Sequence, residues 1–215
     1  MIVLAIDGAL GAFSAACADG ATILAARSQT GNVALEKGLA MVGEVMERAH
    51  VTPAHVDRLA VGIGPGGFTG LRIAIAYAKA LAQAWDRPLV PVSSFDLLEF
   101  GRDLEPVLTI VVGRPGVISA RYRIGSQVRR ASGRTSEALT AVLTGDVASL
   151  SAIGASKDVL AALAERGIIV QSLDPLVAPP AAAAALAAAS LPAAPTPHDV
   201  RADYGELPAA KVPKR

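Results

Sequence analysis

A single cysteine, Cys17, stands among 215 residues, so no disulfide can form within the chain. A reducing compartment fits that usage, and Cys17, inside an apolar run, reads as a packed thiol. Aromatic residues are scarce, at 4% of the chain. Neither sign of charge dominates, with twenty Lys and Arg against nineteen Asp and Glu. Global electrostatics therefore demands no nucleic-acid partner. The apolar start MIVLAID lacks a basic flank and is interrupted by Asp7. The alanine run 181–189 follows Pro179-Pro180 and is far shorter than the roughly 20 residues of a membrane span. A soluble, cytoplasmic protein with no membrane partner is expected. Histidines paired at helical spacing are missing too: His50, His55 and His198 each stand alone. A metal held by two histidines four apart on one helix face is therefore disfavoured.

What fills the chain is alanine and aliphatic residues, 52% hydrophobic in all, the composition of a helix-rich globular protein. The length allows one large domain or two small lobes. The organising stretch is 59–85: a strand at Leu59–Ile63, the turn Gly64-Pro65-Gly66-Gly67, then a helix opening near Thr69, whose hydroxyl is placed to cap it. On that helix Arg72, Lys79, Gln83 and Asp86 cluster within roughly 60°, leaving most of the circumference apolar or small. One sheet covers a stripe of only about 100°, so a second covering surface is expected. Leu71, Ile75, Ala78, Ala82 and Trp85 repeat with the four-three spacing of nearly parallel helices. Leu35, Leu39, Val42, Met46 and Ala49 repeat likewise on an upstream helix, 34–49. Gly70, Ala74, Ala76, Ala80 and Ala84 would permit close backbone approach. Spacing alone leaves two readings open: the seams face the protein's own core, or they face a partner.

In order, strands are expected at 2–6, 12–18 and 22–27, then the helix 34–49, the strand and helix just described, a strand at 89–92 and a short helix capped by Ser93 or Ser94. From Arg102 the same succession returns: strands at 107–112, 117–124 and 127–130, a helix at 135–143, a strand at 149–153, a helix at 158–166, a strand at 168–173 and a helix at 181–191. Such repetition points to duplicated lobes, 1–101 and 102–192, followed by a proline-rich tail, 193–215, that hugs the surface or is partly disordered.

The stretch GIGPGGFTGLRIAIAYAKALA resembles the signature of the TsaB (YeaZ) family, GPGSFTGLRIGLA followed by a small-residue helix. VLAIDGA at 3–9 is similar to that family's ILAIDTS, and VPVSSF at 90–95 to its G-V-S-S-L. Pro197-His198-Asp199-Val200-Arg201 resembles its P-x-Y-[LV]-R with the aromatic missing. The second half matches less: Gly113-Arg114-Pro115-Gly116 stands where the family has D-A-R-x-x-E-V-Y. The resemblance implies an α/β, actin/Hsp70-like (ASKHA) fold of two RNase H-like lobes, with mixed sheets flanked by helices. It also implies a catalytically silent subunit that binds TsaD, which transfers threonylcarbamoyl to adenosine 37 of tRNAs reading codons that begin with A. TsaE would join through the complex, tRNA would be met indirectly, and the chain would self-pair where TsaD is absent. The partner-binding residues so implied are Leu35, Leu39, Val42 and Met46 on the first helix, and Leu71, Arg72, Ile75, Ala78, Lys79 and Ala82 on the second. No cofactor is expected on this chain alone, with ATP and magnesium acting at the level of the complex.

The opposing reading is a stand-alone actin-fold nucleotide-binding enzyme, a kinase or hydrolase. Asp7 is its nucleotide-binding candidate, although Ala9 removes the hydroxyl usual there. One carboxylate with no second acid or base makes a poor general-base site. Gly62-x-Gly64-x-x-Gly67 fits a dinucleotide fingerprint, but Pro65 removes a donor and the next strand ends without an acid. No Gly-Lys-[Ser/Thr] follows. Arg102, Arg114, Arg121, Arg123, Arg129, Arg130 and Arg134 could meet phosphates; with only Tyr122 among them, ordinary solvated arginine is the better account.

Overall fold

Ile2–Asp7 shows no alternation: five of its six residues are buried, as in a strand covered on both faces. In the computed structural model, which describes residues 1–31, 34–175 and 179–205 (34 and 35 as backbone only), this strand is the centre of a sheet. β1 (Ile2–Asp7) pairs antiparallel with β2 (Ala12–Asp19), which pairs with β3 (Thr22–Thr30). On its other side β1 runs parallel to β4 (Arg58–Gly62), and β4 to β5 (Leu89–Val92). The helices between are α1 (Ala34–Arg48), α2 (Phe68–Trp85) and α3 (Ser94–Glu99). The second half repeats this order: β6 (Val107–Val112), β7 (Val117–Ile124), β8 (Gln127–Arg134), α4 (Thr135–Val142), β9 (Ser149–Ile153), α5 (Lys157–Glu165), β10 (Ile169–Leu173) and α6 (Pro180–Ala187). The sheets read β3-β2-β1-β4-β5 and β10-β9-β6-β7-β8, the same topology twice.

The duplication has one twist: the third helix of each half crosses over. α6 lies against β1, β2 and β4 of the first sheet. Its alanines share a core with Val3, Ala5, Ala60 and Val90. α3 reaches both ways, with Leu97 in that same core and Phe95 and Leu98 against Val107, Val111 and Ile153. α6 carries no capping side chain of its own, so the sheet supplies caps. The Ala181 amide donates to Ser14 Oγ on β2 at 3.1 Å, and Arg58 of β4 donates to the carbonyls of Ala188 and Leu191 at 2.8 and 3.2 Å. Each end of an otherwise featureless helix thereby gains a partner for a backbone group left over at its terminus.

Several boundaries differ from expectation. α2 opens at Phe68 with Gly67 as its N-cap and no side-chain cap, so Thr69 lies inside the first turn. The Gly67 amide is already engaged, donating to the Ala9 carbonyl at 2.7 Å. β3 and β8 extend to Thr30 and Arg134. Both are edge strands whose polar outer face hides the alternation. From the 193–215 tail, residues up to 205 return to the first sheet: the Ala194 amide donates to Leu89 O and the Asp203 amide to Ile63 O. Residues 206–215 lie outside the described residues. Among the described residues no helix is long and apolar enough to cross a membrane.

Candidate functional site

Two places could carry function: the α1–α2 layer and the end of β1. On α2, Leu71, Ala74, Ile75, Ala78 and Ala82 are buried against β1 and β4 and share the first core with Met41, Val42, Val45 and Met46 of α1. Six of the residues expected to meet a partner, Val42, Met46, Leu71, Ile75, Ala78 and Ala82, are buried in the chain's own core. The side chain of Leu35 lies outside the described residues.

The second cover expected over α2 comes from within the chain. On one flank the C-terminal segment clasps it: Arg72 Nε donates to the Tyr204 hydroxyl at 2.8 Å, and Lys79 Nζ to the His198 carbonyl at 3.2 Å. The Arg72 guanidinium also lies 3.8 Å from the centre of the Phe68 ring, a cation–π contact. Val200 is buried beside them. On the other flank Tyr77, Leu81 and Trp85 are half-buried, and Tyr77 meets Phe13 edge-on at 6.2 Å. Beyond Arg72, what stays in water is Phe68 and Thr69 in the first turn, then the small residues Ala76, Ala80 and Ala84, with Gln83. On α1, Leu39 (50% exposed), Ala40 and Gly43 are open. Of the nine residues assigned to a partner whose side chains are described, only Leu39, Arg72 and Lys79 have solvent-accessible side chains, and the last two are tied to the returning segment.

At the end of β1, Asp7 is fully buried. The Ala9 amide donates to its Oδ1 at 3.2 Å, while Oδ2 has no partner. Burial pushes its carboxyl up from an ordinary 3.8 to about 7, against the opposing pull of the Ala9, Leu10 and Gly8 amides. Gly62 lies so close that a β-carbon there would come within 1.9 Å of Oδ2. Gly8 and Gly70 approach equally tightly, since a β-carbon on either would meet the other's carbonyl oxygen at 2.4 or 2.2 Å. These residues do not fit a magnesium nucleotide. The hairpin amides that would cradle a phosphate are turned onto Asp7 itself. Across the cleft, a cavity of about 270 Å³ is lined by apolar groups such as Leu10, Leu98, Ile110, Val112 and Pro175, with no cation among them. Among the described residues no three His, Cys, Asp or Glu side chains gather as a metal would require.

The second-half arginines are largely occupied internally. Arg121 is buried and pairs with Asp96 and Glu99 at 2.5 and 3.0 Å. Arg123 pairs with Glu99 and Glu105, Arg102 donates to Asp174 O, and Arg129 to Thr144 O. Thr109 Oγ1 also donates to Glu99. This node, which ties α3 to the second sheet, went unseen in the sequence because its acids lie more than ten residues from its cations.

Comparison with known proteins agrees with this architecture. Residues 35–189 match the family model described as TsaD, tRNA N6-adenosine threonylcarbamoyltransferase. The transferase of that name from Gluconobacter oxydans is 34% identical over 119 residues, covering 48% of this chain and 33% of its own length. The tRNA threonylcarbamoyladenosine biosynthesis protein TsaB of Escherichia coli is 34% identical over 94 residues, 44% of this chain and 41% of its own. The matched stretches thus span well under half the length of these curated relatives. The structure of YeaZ from Pseudomonas aeruginosa superposes with a TM-score of 0.72 at 22% identity, over 94% of this chain and 99% of that one. The fold is the actin/Hsp70-like pair of RNase H-like lobes. The chain belongs to the family of the TsaD model, as one of its TsaB (YeaZ)-type members.

Proposed function

We propose that this chain is a non-catalytic supporting subunit of tRNA threonylcarbamoyladenosine synthesis, pairing with TsaD so that TsaD transfers threonylcarbamoyl to adenosine 37. The pairing surface is the outward side of the α1–α2 layer, not its inward seam. One observation carries the reading: on the two packed helices, Ala76, Ala80 and Ala84 of α2 lie bare, as do Leu39, Ala40 and Gly43 of α1. Small side chains four apart let a second pair of helices approach closely without clashing. Apart from Phe68 and Thr69 in its first turn and Gln83, the rest of α2 is covered by the sheet or by α1, or tied to the returning segment. The Asp7 site, with its amides turned inward and its cleft apolar, supports a chain that holds no nucleotide alone. ATP and magnesium then belong to the assembled complex with TsaE, tRNA is met through that complex, and the working place is the cytoplasm. Where TsaD is absent, the same stripe serves a second copy of the chain.

The test is co-purification with TsaD, using Ala76→Glu and Leu39→Glu. Both sit at exposed positions, so the variants should melt as the parent does yet no longer retain TsaD. Retention unchanged in both would remove this surface from the proposal.

A further inference from the structure

A cavity of about 290 Å³ lies where four separated parts of the chain meet: Pro65 in the turn before α2, Phe95 of α3, Arg130 and Ser132 of β8, and Asp203 and Gly205 of the returning segment. Two opposite charges line it. Arg130 stands directly across from Arg121 in the β7–β8 register, a placement in which like charges repel. Arg121 is neutralised by Asp96 and Glu99. Arg130 has no hydrogen bond or ion pair to any described residue, and its guanidinium carbon lies 5.6 Å from the centre of the Phe95 ring. On the facing side the Asp203 carboxylate is fixed through Oδ1, which accepts from the Gly205 amide at 2.8 Å. Its other oxygen is left to accept. No ion pair joins Arg130 to Asp203, although both face the same small space.

The wall between them is built. Ser132 Oγ donates to Ser119 Oγ at 2.9 Å, and Ser119 is itself buried. Gly205, at φ +70°, is pressed against this pair: a β-carbon there would come within 2.2 Å of Ser119 Oγ. The backbone of the returning segment can approach the serines only because this position lacks a side chain. Phe95 supplies an apolar surface.

A cation and an anion facing one cavity, held apart from each other, are the complement of a zwitterion. Ligand pockets commonly run from about 300 to 1,000 Å³, so this one admits only a small molecule. We propose that the cavity binds a free α-amino acid, its carboxylate on Arg130 and its ammonium on Asp203, with the Ser132 hydroxyl beside the backbone or a short polar side chain. A guanidinium offers two parallel donors to a carboxylate, the stronger kind of charge-assisted pair. Because Arg130 belongs to the second lobe and Asp203 to the segment clasped on the first, the ligand would bridge the two. The proposal does not rest on a TsaD partnership.

The experiment is calorimetric titration of the full chain with L-serine, alongside ethanolamine, which lacks the carboxylate, and L-lactate, which lacks the ammonium. The expected result is saturable one-to-one binding of serine, with each analogue weaker by about tenfold or more. Arg130→Gln and Asp203→Asn should each weaken serine by a similar factor. Arg130 is exposed, so Arg130→Gln decides the matter even if Asp203→Asn loosens the C-terminal segment, and a thermal melt reports on that. No saturable heat, equal binding of either analogue, or serine affinity unchanged in Arg130→Gln would each overturn the proposal.

Discussion

Replacing Asp7 by Asn should stabilise the protein, and by an amount that depends on pH. Asp7 is buried with one oxygen unpartnered and its carboxyl raised from 3.8 to about 7. Between those values the folded chain keeps a proton that the unfolded chain releases. The unfolded state therefore binds fewer protons, and stability falls as pH rises, by about 1.4 kcal/mol per pH unit. The contribution is fully present below about pH 4 and is lost by about pH 7, a span of roughly three units and about 4 kcal/mol. Against a typical net stability of about 5–15 kcal/mol that is a large share. Asn mimics the protonated acid in shape and in its neutral charge, so it should match the parent near pH 4 and exceed it by about 4 kcal/mol above pH 7. Urea unfolding of both proteins at half-unit steps from pH 4 to 8 measures this. Other titrating groups act equally on the two proteins and cancel in the difference. A difference that stays flat across the range, or an Asn variant less stable at pH 8, would refute the assignment of Asp7 as a buried acid held protonated.

Three further sets of substitutions probe the architecture. Ile75→Arg or Ala78→Glu places a charge inside the first core and should unfold the chain or cost at least about 3 kcal/mol, whereas Ala76→Glu, one helix face away, should stay within about 0.5 kcal/mol in the same melts. Ser14→Ala strips the acceptor from the buried Ala181 amide and should cost about 1–3 kcal/mol, read by chemical denaturation. Arg121→Met leaves Glu99, itself mostly buried, without its main cation. It should cost about 3–5 kcal/mol with little dependence on added salt, and a salt-sensitive loss would place the pair in solvent instead.

The succession of elements was legible because β1, β4 and β6 are continuous apolar runs bounded by Gly or Pro, and because α1 and α2 are strongly periodic. The repeat of three strands, helix, strand, helix, strand, helix could be read from the chain and is mirrored strand for strand in the two sheets. The site was legible only in part. The periodicity at Leu71, Ile75, Ala78 and Ala82 identifies a packed seam, but a helix seam looks the same whether a sheet or another subunit fills it. Burial decided for the sheet. The surplus apolar circumference of α2 did signal a second cover. Its source could not be seen because Tyr204 and Val200 lie more than a hundred residues away, in a segment whose prolines read as loop. The crossing of α3 and α6 was hidden for a similar reason. An all-alanine helix has no distinct face, and its caps, Ser14 and Arg58, come from strands more than 120 residues earlier.

The most direct measurement is the threonylcarbamoyladenosine content of tRNA after reconstitution of the transfer with TsaD and TsaE, with and without this chain, by mass spectrometry of the digested nucleosides. The account predicts modified adenosine only when the chain is present, none from the chain alone, and loss of the effect with Ala76→Glu. Equal modification with the chain left out would contradict it.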